Sequence, residues 1–514
     1  MNRPLDALFS PRSVAVIGVS RRRDSIGFSL LHNLLASEFE GAVFPVNPRA
    51  DFVHSLKCYP SVGAIADPVD LAVIAVPRDQ VLTIASECLA KGVRALVVIT
   101  AGFAETGPAG AEIETRLRDL VRAASVRMIG PNCMGIINTD AQVQLNATFA
   151  PVPAQAGSIG FVSQSGALGV AILNVARDLG IGLTQFVSMG NKADVSGNDL
   201  LEHWEDDPAT RVICMYLESF GNPRRFTEIA KRVGRKKPIL VVKSGRSAAG
   251  ARAATSHTGA IGGADVTASA FLEQCGVLRA NTIEELFDVA RALDRCPLPL
   301  GKRVGIVTNA GGPAIMATDA CVDQNLEIAE LSAATRTELA SFLPAGASLT
   351  NPIDMIASAD GESYRRTIAA VLADPAVDMA IVINVTPLLA NPIDILETIG
   401  SACAGQPKPV LAVVMATEEF YEEARRRPYL PPVFRFPESA ARALAMLHRY
   451  ADWRRRPAAE VIPEFAVDDA AVAALLARAG SGYLEPAAAL RVLELYGIPT
   501  ARWRLARTRE EALA

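Results

Sequence analysis

The sequence predicts an α/β protein built from several doubly wound parallel sheets, and three observations carry that prediction. Short runs of continuous apolar, β-branched residues recur along the chain. Strands covered on both faces by helices read this way, whereas a sheet with one wet face alternates. Longer amphipathic stretches separate these runs, giving a repeated strand–helix–strand rhythm. Half of the 514 residues are hydrophobic and 21% are charged, which favours large cores over general disorder. A chain of this length makes roughly three or four domains of ordinary size.

Taken in order, Ser13–Val19 reads as a buried strand followed by a glycine turn and a helical pattern over Phe28–Ala36. Strands follow at Ala42–Val46, Leu71–Val76 and Ala95–Thr100, completing a Rossmann-like series over residues 1–130. A second series over 150–296 has strands at Ser158–Ser163, Leu183–Ser188, Val212–Leu217 and Ile239–Lys243. The Cys296–Gly301 stretch, CPLPLG, interrupts it. A third series over 300–455 has strands at Arg303–Thr308, Met379–Asn384 and Pro409–Val414. The second and third series open alike, GFVSQSGALG at Gly160–Gly169 against GIVTNAGGPA at Gly305–Ala314, so they are expected to be two related flavodoxin-like domains in tandem. Arg454–Phe465 is charged and carries proline, and 456–483 is expected to be a linker. The remaining 484–514 shows a helix at Ala487–Tyr496, a turn at Gly497–Pro499, a short strand and a second helix from Arg509. It is too short for a domain and stops mid-pattern, so it reads as the start of one cut short.

Charge and cysteine usage narrow the function classes. The net charge is −4 with Lys and Arg spread along the chain, which gives no electrostatic reason for a nucleic-acid or membrane-surface partner. Cys58, Cys88, Cys133, Cys214, Cys275, Cys296, Cys321 and Cys403 form no CxxC pair and no metal-like spacing, so free thiols in a reducing compartment are the simpler reading. The N-terminus lacks the pattern of a signal peptide, and no run approaches the ~20 apolar residues of a membrane helix. The expected location is cytoplasmic.

Four local patterns bear on chemistry. In VIGVSRRRDSIG, Gly18 ends the first strand and a helix start follows, which offers backbone N–H groups and a positive dipole end to a phosphate. Arg21, Arg22 and Arg23 add positive charge. The GxGxxG fingerprint is absent and no acidic residue closes the second strand, so NAD loses its usual anchors and a different nucleotide-bearing cofactor is favoured. Ser163-Gln164-Ser165-Gly166-Ala167 and Gly190-Asn191-Lys192-Ala193-Asp194 are small-residue turns of the kind that lets backbone approach an anion. Such turns also serve as plain helix caps, so neither decides the chemistry alone. Fourth, His257 lies in Ala254-Thr255-Ser256-His257-Thr258-Gly259-Ala260 and is one of only five histidines. A neutral imidazole can attack phosphorus and pass the group onward. Glu218, ending the apolar run ICMYLES, is the candidate carboxylate to orient its other nitrogen.

The motifs VAVIGVSRR, ITAGFAE, IGPNCMGIIN, FVSQSGALG, MGNKADV, YLES and SHTGA, in that order, resemble the NDP-forming acyl-CoA synthetases, relatives of succinyl-CoA synthetase. The resemblance implies that the first domain binds CoA, with Gly18, Ser20 and Arg21 near its phosphates and Pro77, Thr100, Ala101 and Asn132 along the thiol channel. Ser165, Gly166 and Lys192 would hold phosphate or acyl-phosphate. His257 would be the transient phosphoryl carrier and Glu218 its partner; no metal ligand is expected on these residues. The segment from about Leu484 matches the start of an ATP-grasp domain, whose missing remainder would hold ATP or ADP with Mg2+, either beyond residue 514 or in a partner subunit. A homodimer is also implied. The rival reading is a ligand-sensing module of a GNAT-type protein lysine acetyltransferase, to which some relatives are fused. A Rossmann oxidoreductase is disfavoured by the missing fingerprint.

Overall fold

The computed structural model describes residues 5–247, 249–250, 265–386, 391–427, 430–457, 467–480 and 482–513. Residues 1–455 form one compact unit and 456–514 a second.

Three sheets organise the first unit. The first is parallel and five-stranded, in the spatial order Ala42–Val46, Ser13–Ile17, Leu71–Ile74, Ala95–Val98, Arg127–Ile129. Its three central strands are buried at every position, as their unbroken apolar runs require. Ser13–Ile17 ends at Gly18, whose φ of +94° suits glycine, and a Cβ there would lie 2.2 Å from the Ala75 carbonyl oxygen. That close approach draws the first turn against the end of the third strand. The helix after it, Ile26–Ala36, is capped by Ser25, whose side chain accepts from the Phe28 N–H at 3.3 Å.

The second sheet has seven strands, in the order Leu278–Ala280, Ile239–Lys243, Val212–Leu217, Ala156–Ser163, Leu183–Ser188, Gly135–Asn138, Leu145–Thr148. The last two strands are an antiparallel hairpin on the edge of Leu183–Ser188. They come from the stretch between the first two expected series, where GIIN and LNAT are too short and polar to announce strands. The third sheet has six strands. Arg303–Thr308 pairs with Glu327–Ile328 and Ile353–Asp354, and it also pairs with Met379–Val385, beyond which lie Val410–Met415 and Val433–Phe434. One apolar cluster runs from Phe161 and Phe287 of the second series to Ile381, Leu411 and Leu444 of the third. The helix Pro437–Arg455 reinforces this join, because the Tyr450 hydroxyl donates to the Gly234 carbonyl at 2.9 Å.

The first and second sheets are joined by a buried ionic cluster. Arg127, on the last strand of the first sheet, meets Asp194 at 2.9 Å and Asp199 at 3.2 Å, and Asp194 also accepts from the Met128 N–H at 3.1 Å. The Arg127 and Asp194 side chains are 7% and 2% exposed, so removing one partner strands a desolvated charge. Asp194→Ala is therefore expected to cost about 3–5 kcal/mol, read as a lower denaturant midpoint at unchanged slope. A loss below about 1 kcal/mol would mean that the cluster is compensated elsewhere.

In the second unit, the stretch expected to be a linker contains the helix Asp469–Ala479, started by Asp468, which accepts from the Ala471 N–H at 2.9 Å. DAAVAALLARA is rich in strong helix formers, a signal that the charge and proline of the preceding residues obscured. The helix Pro486–Leu495 ends at Gly497, with the Ile498 N–H returning to the Leu493 carbonyl at 2.9 Å. The helix Arg509–Leu513 follows, but the expected short strand is not among the described elements.

Candidate functional site

The second sheet carries its chemistry at the carboxyl ends of its strands, where open α/β sheets bind ligands. Ala156–Ser163 runs into the helix Gly166–Asp178 through Gln164 and Ser165. The Ser163 hydroxyl donates to the Ser165 carbonyl at 2.7 Å and accepts from the Ser165 N–H at 3.2 Å. Ser165 then caps the helix by accepting from the Leu168 N–H at 3.3 Å. Gln164 reaches sideways: its Oε1 accepts from the backbone N–H groups of Glu218 and Ser219. The end of Val212–Leu217 is thereby fixed beside the helix start, and the Glu218 side chain stands at the same mouth.

The third sheet repeats this construction. Thr308 donates to the Ala310 carbonyl and accepts from its N–H, both at 3.0 Å. Asn309 bridges to the end of the neighbouring strand through both the Val385 N–H and carbonyl. The related openings of the two series thus share a hydrogen-bond pattern as well as a sequence pattern.

A third turn completes the site. Gly190 has φ +56°, and a Cβ would fall 2.2 Å from the Pro131 carbonyl oxygen, so this turn sits directly on the Gly130–Asn132 corner of the first sheet. Asn132 donates its N–H to Thr100 and its side-chain amide to Asn191 Oδ1 at 3.2 Å. Asn191 in turn donates to Glu105 at 2.5 Å and Glu114 at 2.8 Å. Burial pushes the Glu105 carboxyl up, but the hydrogen bonds from Asn191, Gly102 and Phe103 prevail and hold it below the ordinary carboxylate range. Lys192 donates to the carbonyl and hydroxyl of Ser219. Burial is the main cause lowering its pKa to about 8, aided by Lys243 and opposed by Glu218. Among the described residues the Glu218 carboxylate accepts no hydrogen bond, which leaves it free for a further donor.

These turns enclose a cavity of about 690 Å³. Thr100, Ala101 and Asn132 reach it from the first sheet, and Ser165, Gly166, Lys192 and Glu218 from the second. Ile26, Ile99 and Phe149 supply apolar wall. Four expected positions stand apart from it. Gly18 backs onto Ala75, and Pro77 starts the next helix while Val76 lines the wall. Ser20 accepts from the Arg22 N–H, and the Arg21 side chain donates to the Phe52 carbonyl at 2.9 Å. His257 lies outside the described residues. Glu105, Gln164, Asn191 and Ser219 line the cavity as well. All four sit inside the quoted motifs, but their role in joining strand ends depends on contacts distant in sequence. Cys133 also lines it, but burial pushes its thiol up to about 12, so it offers no thiolate at neutral pH. Among the described residues there is no cluster of three metal-ligating side chains and no helix long and apolar enough to cross a membrane.

Three known domain families match in succession: a CoA binding domain over 12–139, a succinyl-CoA ligase like flavodoxin domain over 156–293, and a Ligase-CoA domain over 304–463. The chain is 43% identical over 452 residues to the alpha subunit of an ADP-forming acetate–CoA ligase II of Pyrococcus furiosus, covering 87% of this chain and 98% of that one. It is 35% identical to an ADP-forming 4-hydroxybutyrate–CoA ligase of Nitrosopumilus maritimus, covering 98% of this chain and 73% of the relative. Among solved structures, a dinucleotide forming acetyl-coenzyme A synthetase 1 of Ca. Korarchaeum cryptofilum, in complex with phosphate and ADP, superposes with a TM-score of 0.83 at 38% identity. That match covers 88% of this chain and 98% of the other.

Proposed function

The chain belongs to the ADP-forming acyl-CoA ligase family, and on that premise we propose that its cavity exchanges an acyl group between CoA and phosphate and passes the phosphoryl group to His257. The observation that carries this reading is the shared cavity itself: side chains from the CoA binding domain and anion-type turns from the flavodoxin domain line one space.

In the first step Thr100, Ala101 and Asn132 flank the thioester, while the Ser165–Gly166 helix start and Lys192 hold phosphate. A phosphate oxygen attacks the thioester carbon. The C–O bond forms, the C–S bond breaks, and the thiolate leaves to take a proton. In the second step a ring nitrogen of His257 attacks phosphorus, and the P–O bond to the acyl group breaks with release of the carboxylate. Glu218 accepts a hydrogen bond from the other ring nitrogen and stabilises the charge developing on the imidazole. The phosphoryl group then passes to ADP, with Mg2+, on an ATP-grasp domain further along the polypeptide or in a partner subunit. The P. furiosus relative is named an alpha subunit, which supports a partner chain. The net reaction turns acyl-CoA, phosphate and ADP into carboxylic acid, CoA and ATP. The relatives named above are ligases, which favours catalysis over the regulatory alternative, and they differ in acyl group.

Arsenate tests the first step alone, because an acyl-arsenate hydrolyses spontaneously and frees the site. The chain, given acetyl-CoA and arsenate without nucleotide, is expected to release free thiol continuously, and Ser165→Ala combined with Lys192→Met is expected to slow that release at least a hundredfold, on the order of the loss of anion-stabilising donors. Thiol release indifferent to arsenate would remove the first step.

A further inference from the structure

A second concave site lies at the opposite, amino-terminal ends of the strands. It is a cleft of about 720 Å³ between the second and third series, formed by the starts of Ala156–Ser163, Val212–Leu217 and Val410–Met415 and the end of the helix Ile283–Arg295. Its charged lining is Arg211, Arg291, Arg295, Lys408 and Arg425 against the single carboxylate of Asp294.

Asp294 does not balance this set. One of its oxygens already accepts from the Ser158 hydroxyl at 2.5 Å and faces Arg211 at 3.5 Å. Arg425 is held by the Asp178 carbonyl and by Glu418 at 3.2 Å, and Lys408 by the Asp374 carbonyl at 2.7 Å. Arg291 pairs with Asp288, donates to the Val433 carbonyl at 3.2 Å and lies over the Phe434 ring, yet its Nε is buried with no hydrogen-bond partner. Among the described residues Arg295 has no ion pair and no hydrogen bond, although it remains open to solvent at the cleft mouth. Crowding by surrounding protein is the first cause lowering its pKa and the neighbouring Arg291 the second. A cation in the last turn of a helix is favourable in itself, which accounts for Arg295 but not for Arg211, Lys408 and Arg425, which converge from three other segments. An orphaned guanidinium N–H beside an unpaired guanidinium calls for an anion with several acceptor oxygens.

We propose that this cleft binds a small phosphate ester, its phosphate held by Arg291 and Arg295 and its organic part against Ile181, Leu430, Pro431 and Pro432. The volume exceeds the needs of inorganic phosphate and falls in the range of metabolite pockets. Because Arg295 comes from the second series and Lys408 and Arg425 from the third, occupancy bridges the two. The site is independent of the ligase reading, since none of its residues lines the other cavity.

Calorimetric titration and thermal unfolding of the full chain, with glucose 6-phosphate and pyrophosphate as probes, test the assignment. Glucose 6-phosphate is expected to bind saturably, to raise the unfolding temperature and to weaken with salt. Among the described residues Arg295→Gln breaks no hydrogen bond or ion pair, and it is expected to weaken binding about tenfold or more; Arg295→Glu should abolish it. Lys192→Met, in the other cavity, should leave it unchanged. Equal affinity in wild type and Arg295→Glu, or loss of binding in Lys192→Met, would overturn the site. Binding of pyrophosphate without the sugar phosphate would overturn its assignment to a phosphate ester.

Discussion

Replacing His257 by alanine is expected to lower ligase turnover of the complete assembly by at least about ten-thousandfold, the scale on which nucleophile removal acts. The histidine is the only route by which the phosphoryl group leaves the cavity in the proposed sequence, so no parallel path restores the flux. Binding of CoA should be unaffected, because the residues expected to contact it lie in the segments that follow strands of the first sheet. Arsenate-driven thiol release should also survive, since that step precedes phosphoryl capture. Glu218→Gln keeps the nucleophile but replaces the charge that orients it, and a loss of about a hundredfold is expected, typical of a positioned acid–base partner. Parallel loss of thiol release in His257→Ala would mean that the histidine acts before phosphoryl transfer, contrary to the scheme.

Lys192→Met should stabilise the protein while disabling it. A buried lysine held at about 8 rather than 10.5 costs roughly 3 kcal/mol at neutral pH, against which its bonds to Ser219 return about 1 kcal/mol. The variant is thus expected to gain about 1–2 kcal/mol near pH 7. The sign with pH follows from proton uptake: between about 8 and 10.5 the unfolded chain binds the proton that the folded chain has released, so wild-type stability rises with pH across that window. The advantage of the variant should shrink over the same interval. Acyl transfer should fall at least about a hundredfold on loss of the ammonium proposed to hold phosphate. In wild type it should decline above about pH 8 as that group loses its proton, and the variant should lack this alkaline limb. A variant no more stable at pH 7, with an unchanged pH profile, would make Lys192 a structural residue.

The parts of the fold that the sequence exposes are those with one dominant physical signal. Val212–Leu217, Ile239–Lys243 and Arg303–Thr308 occupy the stretches expected of them, because strands buried on both faces tolerate almost nothing but apolar side chains. Gly135–Asn138 and Leu145–Thr148 are buried at every position too, but GIIN and LNAT mix glycine, asparagine and threonine into runs of four, and so this hairpin passes unnoticed. At the cavity, small residues after a strand announce the turns at Ser163–Gly166 and Gly190–Lys192. What they do not announce is how the turns lock together: Gln164 meets Glu218 across 54 positions, and Asn191 meets Glu105 across 86. Such contacts follow from the order of strands, which no local pattern encodes. The depressed lysine is likewise a product of assembly, since the acceptor Ser219 and the repelling charge of Lys243 come from distant parts of the chain.

In the proposed sequence one cavity joins the thioester to phosphate and delivers the phosphoryl group to His257. Incubating the chain with acetyl-CoA and 32P-labelled phosphate, with no nucleotide present, tests it most directly. The expected result is an acid-labile, base-stable label on the peptide containing His257, dependent on acetyl-CoA and absent from His257→Ala. Label on another residue, or label of equal extent without acetyl-CoA, would contradict it.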